Sequence, residues 1–125
     1  MVREPLDNST PPAPTVVAAE GEINGCWVVR ARGAIDSDSV DPLFIALWQA
    51  VGGYDVVVLE ASAVTFAASS FLSLLIETHH RTQLRIAAPG TAVTRLLRTA
   101  GVDTVIRTYP TLDAALDEPP SSRPA

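Results

Sequence analysis

The sequence predicts an α/β layer structure: a mixed β-sheet of four to five strands packed with about four α-helices. Three observations carry that expectation. Val56-Val57-Val58-Leu59 is a continuous apolar run, the signature of a central strand covered on both faces. Two strand-like segments precede it, and segments of helical and strand pattern alternate after it. The 125 residues are 47% hydrophobic, which suits one domain with a substantial core.

Val16 to Ala19 and Cys26 to Ala31 read as the first two strands, joined by the turn Gly21-Glu22-Ile23-Asn24-Gly25. The second alternates Trp27, Val29 and Ala31 against Val28, Arg30 and Arg32, as a half-buried antiparallel strand does. Ser37 to Pro42 is rich in helix-start residues, and Pro42 suits a first turn because it has no N–H to leave unpaired. Leu43, Phe44, Leu47 and Val51 then form an apolar stripe ended by Gly52-Gly53. After the central strand, a helix from Leu72 to about His79 is expected to bury Leu72, Leu75 and Ile76. Leu84 to Ala87 is a short strand, Ala92 to Ala100 a helix with Gly101 as its C-cap, and Thr104 to Thr108 a last strand. Thr111 is placed to cap a short helix holding Leu112, Ala115 and Leu116.

The ends differ in composition. Seven of the ten prolines are Pro5, Pro11, Pro12, Pro14, Pro119, Pro120 and Pro124, so residues 1–14 and 118–125 are expected to be disordered tails around a domain at 15–117. Fourteen acids against nine bases give a net charge of −5, which argues against nucleic acid or an anionic membrane as partner. No apolar run has the length of a membrane span, and no h-region follows Arg3, so no signal peptide is expected. Cys26 is the only cysteine, which excludes an internal disulfide and fits a cytoplasmic protein; packing is its expected role.

The residues offer little for catalysis. A serine hydrolase needs a base within reach of its nucleophile, but His79 and His80 lie along the same helix as Ser69 and Ser70, roughly 14 Å away at about 1.5 Å per residue. Glu77, His79 and His80 lack the i, i+4 spacing that puts two ligands on one face. We therefore expect no enzyme, no metal and no cofactor, with His79, His80 and Arg81 as solvated residues at a helix C-terminus.

The distinctive stretch is Val64-Thr65-Phe66-Ala67-Ala68-Ser69-Ser70-Phe71-Leu72, where two hydroxyls sit at a strand-to-helix turn. Two readings stand side by side. Serine is a favoured N-cap, so the pair can simply start a helix. Alternatively the turn is a switch, since a phosphate there meets free N–H groups and the positive end of the helix dipole. Phe71 and Leu74 lie off the expected buried face, which leaves them either exposed beside that switch or packed against the first helix. Asp36 either ties its own turn or belongs to the same surface.

The stretch resembles the STAS domains (sulfate transporter and anti-sigma antagonist), in which a strand leads into Asp-Ser-Ser-Gly-Leu. Phe66, Ser69, Ser70 and Leu72 match, with Ala68 in place of the acid and Phe71 in place of the glycine. Gly33-Ala34-Ile35-Asp36 resembles the family's Gly-Glu-Leu-Asp turn, expected between the second strand and the first helix. Ala92-Val93-Thr94-Arg95-Leu96-Leu97, Ala100-Gly101-Val102 and Val105-Ile106 resemble its closing helix–Gly–strand unit. The likeness runs from about Val16 to Leu116. It implies a single STAS domain acting as an anti-sigma factor antagonist in the bacterial cytoplasm. Such a protein binds a kinase-like anti-sigma factor, frees a sigma factor and so regulates transcription. By position the resemblance implies phosphorylation at Ser69 and a partner surface of Asp36, Ser69, Ser70, Phe71 and Leu74. A sensory or scaffold STAS module outside any sigma pathway, or a small-ligand-binding one, is the alternative.

Overall fold

The computed structural model describes residues 15–119. The tail expected at residues 1–14, and residues 120–125 of the one expected at 118–125, lie outside them. The elements run β1 (Val17–Ile23), β2 (Cys26–Ile35), α1 (Asp41–Val51), β3 (Val56–Ala67), α2 (Ser69–Arg81), β4 (Gln83–Ala87), α3 (Thr91–Ala100), a 3-10 turn (Val102–Thr104), β5 (Arg107–Tyr109) and α4 (Leu112–Asp117). The five strands form one sheet in the order β1-β2-β3-β4-β5. β1 pairs antiparallel with β2, and the remaining pairs are parallel. This is the α/β architecture that the alternating pattern predicts.

Side-chain alternation along the strands divides the core in two. On one face Val29, Ala31, Val57, Leu59, Leu84 and Ile86 meet α1, α2 and α3. On the other, Cys26, Val28, Val56, Val58 and Ala87 lie under α4. That second layer explains why Val28, expected to point outward with Arg30 and Arg32, is buried while both arginines are exposed.

Several boundaries differ from expectation for identifiable reasons. The hairpin turn is only Asn24-Gly25, with φ of 53° and 80°. Asn-Gly supplies the two left-handed residues that a tight hairpin needs, so β1 continues through Gly21 to Ile23. Gly33, Ala34 and Ile35 belong to β2 rather than to a turn. Gly33 has φ +77° where the β2–β3 register shifts, a conformation that L side chains rarely adopt. β3 extends eight residues past its apolar run, because Arg32 to Ile35 pair with Ala63 to Ala67 and supply a ladder that Ala and Ser would not announce. The 3-10 turn after Gly101 delays β5, leaving Val105 exposed and Ile106 buried. Glu118 and Pro119 also contact the domain, since their carbonyls accept hydrogen bonds from Arg85. The ordered contacts therefore extend past the expected boundary at residue 117.

The helical faces require two corrections. In α1 the buried positions are Leu43, Ala46, Leu47 and Ala50, a regular i, i+3, i+4, i+7 stripe, and Phe44 points outward at 45% exposure. In α2 the same spacing buries Phe71, Leu74, Leu75 and Thr78, while Leu72 and Ile76 are only half-buried. Thr78 disguised that stripe in the sequence. Its hydroxyl donates to the Leu74 carbonyl at 2.8 Å, which permits full burial of a polar residue. Gly101 caps α3 in the left-handed conformation, as expected.

Candidate functional site

The site is built at the C-terminal ends of β2 and β3. Their parallel pairing sets Ala34 beside Phe66 and Ile35 beside Ala67. One step further, the Ala68 N–H donates to the Ile35 carbonyl at 2.9 Å. The chain following β2, which begins at Asp36, and the chain following β3, which enters α2 at Ser69, are thus joined by the sheet's own ladder.

Asp36 organises its loop. Its Oδ1 accepts from the Asp38 N–H at 2.9 Å and the Ser39 N–H at 3.1 Å. In return the Asp36 N–H donates to Ser39 Oγ at 3.0 Å, and that hydroxyl donates to the Ala34 carbonyl at 2.9 Å. This is an Asx turn with a reciprocal serine contact. Asp36 therefore ties its own turn, and the Ala68–Ile35 bond sets that turn beside the serines. Ser39 belongs to this arrangement although it is not among the expected site residues, and the Asp-x-x-Ser spacing signals it. A cleft of about 520 Å³ opens behind the loop, lined by Arg32, Ala34, Asp38, Ser39 and Pro42 among others.

The two serines part company. The N-cap of α2 is Ala68, in extended conformation and without a side-chain cap, so neither serine caps the helix. Ser69 is the first helical residue and is exposed. Ser70 Oγ is shielded from solvent and has no hydrogen-bond partner among the described residues. The first N–H groups of any α-helix have no acceptor within it, and the macrodipole makes that end positive. Ser69 thus places an accessible hydroxyl where added negative charge is favoured.

Phe71 and Leu74 do not belong to this surface. They are 0% and 5% exposed and lie in the core, because Ser69 starts the helix earlier than expected and turns its buried face toward them. The apolar side chain flanking the turn is Phe66, at 54% exposure. Farther along α2, the His79 ring nitrogen accepts from the Leu84 N–H at 3.3 Å and Arg81 lies over the Trp48 ring at 4.2 Å. Those two residues therefore make contacts of their own, and only His80 of the trio is exposed without a contact of this kind. Among the described residues no group of three or more His, Cys, Asp or Glu is placed to hold a metal. No helix among them is long and apolar enough to cross a membrane.

The STAS domain model matches residues 19–115, most of the chain. The chain belongs to the STAS domain family. An anti-sigma factor antagonist from Mycobacterium paratuberculosis is 31% identical with a TM-score of 0.73, covering 78% of this chain and 88% of that one. The anti-sigma factor antagonist SpoIIAA in its unphosphorylated form shares the fold, with a TM-score of 0.67 at 15% identity, covering 79% and 92% of the two chains. The STAS domain of a SulP transporter from Vibrio cholerae shares it at a TM-score of 0.59 and 15% identity, covering 77% and 81%. No curated protein matches the chain. In this STAS domain the family's Asp-Ser-Ser-Gly pattern reads Ala68-Ser69-Ser70-Phe71, and the large ring that replaces the glycine is absorbed by the core rather than displayed on the turn.

Proposed function

We propose that this STAS domain is an anti-sigma factor antagonist. It binds an anti-sigma factor through the Asp36 loop, Ser69 and Phe66, and so releases a sigma factor for transcription in the bacterial cytoplasm. It acts by binding rather than catalysis and needs neither nucleic acid nor membrane. One observation supports this above the rest: the exposed Ser69 hydroxyl lies at an uncapped helix start tied through Ala68 and Ile35 to the Asp36 loop. The 31% identity with a mycobacterial antagonist points the same way.

The anti-sigma factor is a serine kinase in this reading, and Ser69 is its substrate. Ser70 is a poor substrate because its hydroxyl is turned inward. A phosphate adds about −1.5 to −2 charges, welcome at the helix N-terminus but costly to desolvate beneath a partner. Modification therefore ejects the partner and leaves the fold intact. Ala68 removes the neighbouring carboxylate, so a phosphate on Ser69 meets less repulsion within its own chain.

The test is to add the purified protein to the anti-sigma–sigma complex of its native cell and measure free sigma factor. Release in proportion to added protein is expected. A complex that stays intact, with no anti-sigma factor retained by the protein, contradicts the proposal and favours a sensory, scaffold or ligand-binding role.

A further inference from the structure

The side of the sheet away from α1 to α3 is closed by α4, whose C-terminal end is held by Arg85 of β4 and by an ion pair between Glu118 and Arg107 of β5, both outside the proposed site. Arg85, in β4, is 1% exposed. One terminal guanidinium nitrogen donates to the Ala115 carbonyl at 2.7 Å and the Glu118 carbonyl at 2.6 Å. The other donates to the Pro119 carbonyl at 2.9 Å and Gln83 Oε1 at 2.9 Å. Buried charges are ordinarily paired, yet this cation is held by three main-chain carbonyls and a side-chain amide, with no carboxylate among these partners.

We propose that α4 with Glu118 and Pro119 is a detachable strap, held shut by Arg85 and opening as a unit while the rest of the domain stays folded. The packing favours separation at this point. α4 has six residues, too few to be stable as a helix alone. Only Ala115 in it is fully buried, with Leu112 and Leu116 half-buried against the sheet. α1, α2 and α3 instead share the larger cluster on the opposite face.

The fastening also differs from an apolar one. Closure dehydrates the guanidinium and gives acceptors to its two terminal nitrogens, while Nε finds none among the described residues. Opening removes cover and acceptors together, so the cation is rehydrated rather than stranded, and the open state escapes the penalty of an orphaned buried charge. Removing the guanidinium has the opposite effect, because the closed state then keeps carbonyls at 115, 118 and 119 without their donor. Opening would uncover Cys26, Val28, Val56 and Val58, an apolar surface distant in the fold from the serine turn.

Cys26 supplies the readout. It is the sole thiol in the sequence and is buried in the cluster that α4 covers. In the full-length protein, thiol labelling should proceed at a rate insensitive to low denaturant and faster than hydrogen exchange of the central β3 amides. Arg85→Met should speed labelling by about tenfold or more, and Arg85→Lys by less, with the β3 amides still protected. Leu116→Ala, which loosens the strap without touching Arg85, should also speed it. If Arg85→Met fails to fold, Arg85→Lys and Leu116→Ala decide. Labelling that follows β3 exchange in the wild type and the folded variants, or that is unchanged by both Arg85→Lys and Leu116→Ala, overturns the strap.

Discussion

Replacing Phe71 by alanine separates a core residue from a partner contact at the same position. The ring is fully shielded, in the cluster shared with Leu74, Leu75 and the sheet. Truncating a buried phenylalanine to alanine costs roughly 3–5 kcal/mol through lost transfer energy and the cavity left behind. Alanine returns about 0.5 kcal/mol through its higher helix propensity. The net loss is about 3–4 kcal/mol, and at about 4–8 °C per kcal/mol in a domain near 100 residues the melting temperature should fall by about 12 °C or more. Urea and thermal unfolding followed by circular dichroism measure it. Phe71→Leu, which keeps most of the volume, should cost about 1.5 kcal/mol or less. A Phe71→Ala protein that melts within about 2 °C of wild type but no longer binds its partner would show that the ring belongs to the docking surface.

Three other outcomes are expected. Ala68→Asp should stabilise the domain by about 0.5–2 kcal/mol, because it gives α2 the N-cap it lacks, and denaturation midpoints read the gain. Asp36→Ala should cost about 1–2 kcal/mol, since Oδ1 holds two N–H groups of its turn, and hydrogen exchange at Asp38 and Ser39 should quicken. Burial raises the Cys26 thiol pKa against the opposing pull of Arg85. A raised folded value favours the neutral thiol, so its contribution is complete below the ordinary thiol value of about 8.5 and is lost as pH climbs through the folded value. Unfolding titrations should therefore show wild type losing stability relative to Cys26→Ala in that alkaline range, and a pH-independent difference would contradict the assignment.

Where the sequence misleads, the cause is usually a neighbour supplied from elsewhere in the fold. The apolar run of β3 announces a central strand, but its continuation through Ala61, Ser62 and Ala63 is extended only because β2 pairs with it. Five apolar residues between Phe71 and Ile76 fit more than one helical face. The choice among them rests on the helix starting at Ser69 and on Thr78 finding the Leu74 carbonyl. Small residues mislead similarly, as Ala46 and Ala50 carry the buried face of α1 and leave Phe44 outside. Strong local signals proved dependable: Gly101 after α3, Thr111 before α4, and Asn24-Gly25 once the hairpin is known to be tight.

The candidate site was legible in its residue types and only partly in its geometry. Spacing and resemblance single out Asp36, Ser69 and Ser70, and the β2–β3 ladder does bring their loops together. Which serine faces out cannot be read from adjacent identical letters, because it depends on where the first helical turn begins. Arg85 was equally hidden. An arginine in a short strand reads as an outward residue until α4 folds back across it.

The measurement closest to the central claim is calorimetric affinity for the anti-sigma factor, with circular dichroism as the folding control. Ser69 is the first helical residue rather than the cap, so Ser69→Ala should change stability by less than about 0.5 kcal/mol and keep wild-type affinity. Ser69→Glu places charge at the favourable end of α2, so the fold should hold or gain slightly while affinity falls steeply. Tight binding by a folded Ser69→Glu protein would contradict the account and leave the serine turn as an ordinary helix start.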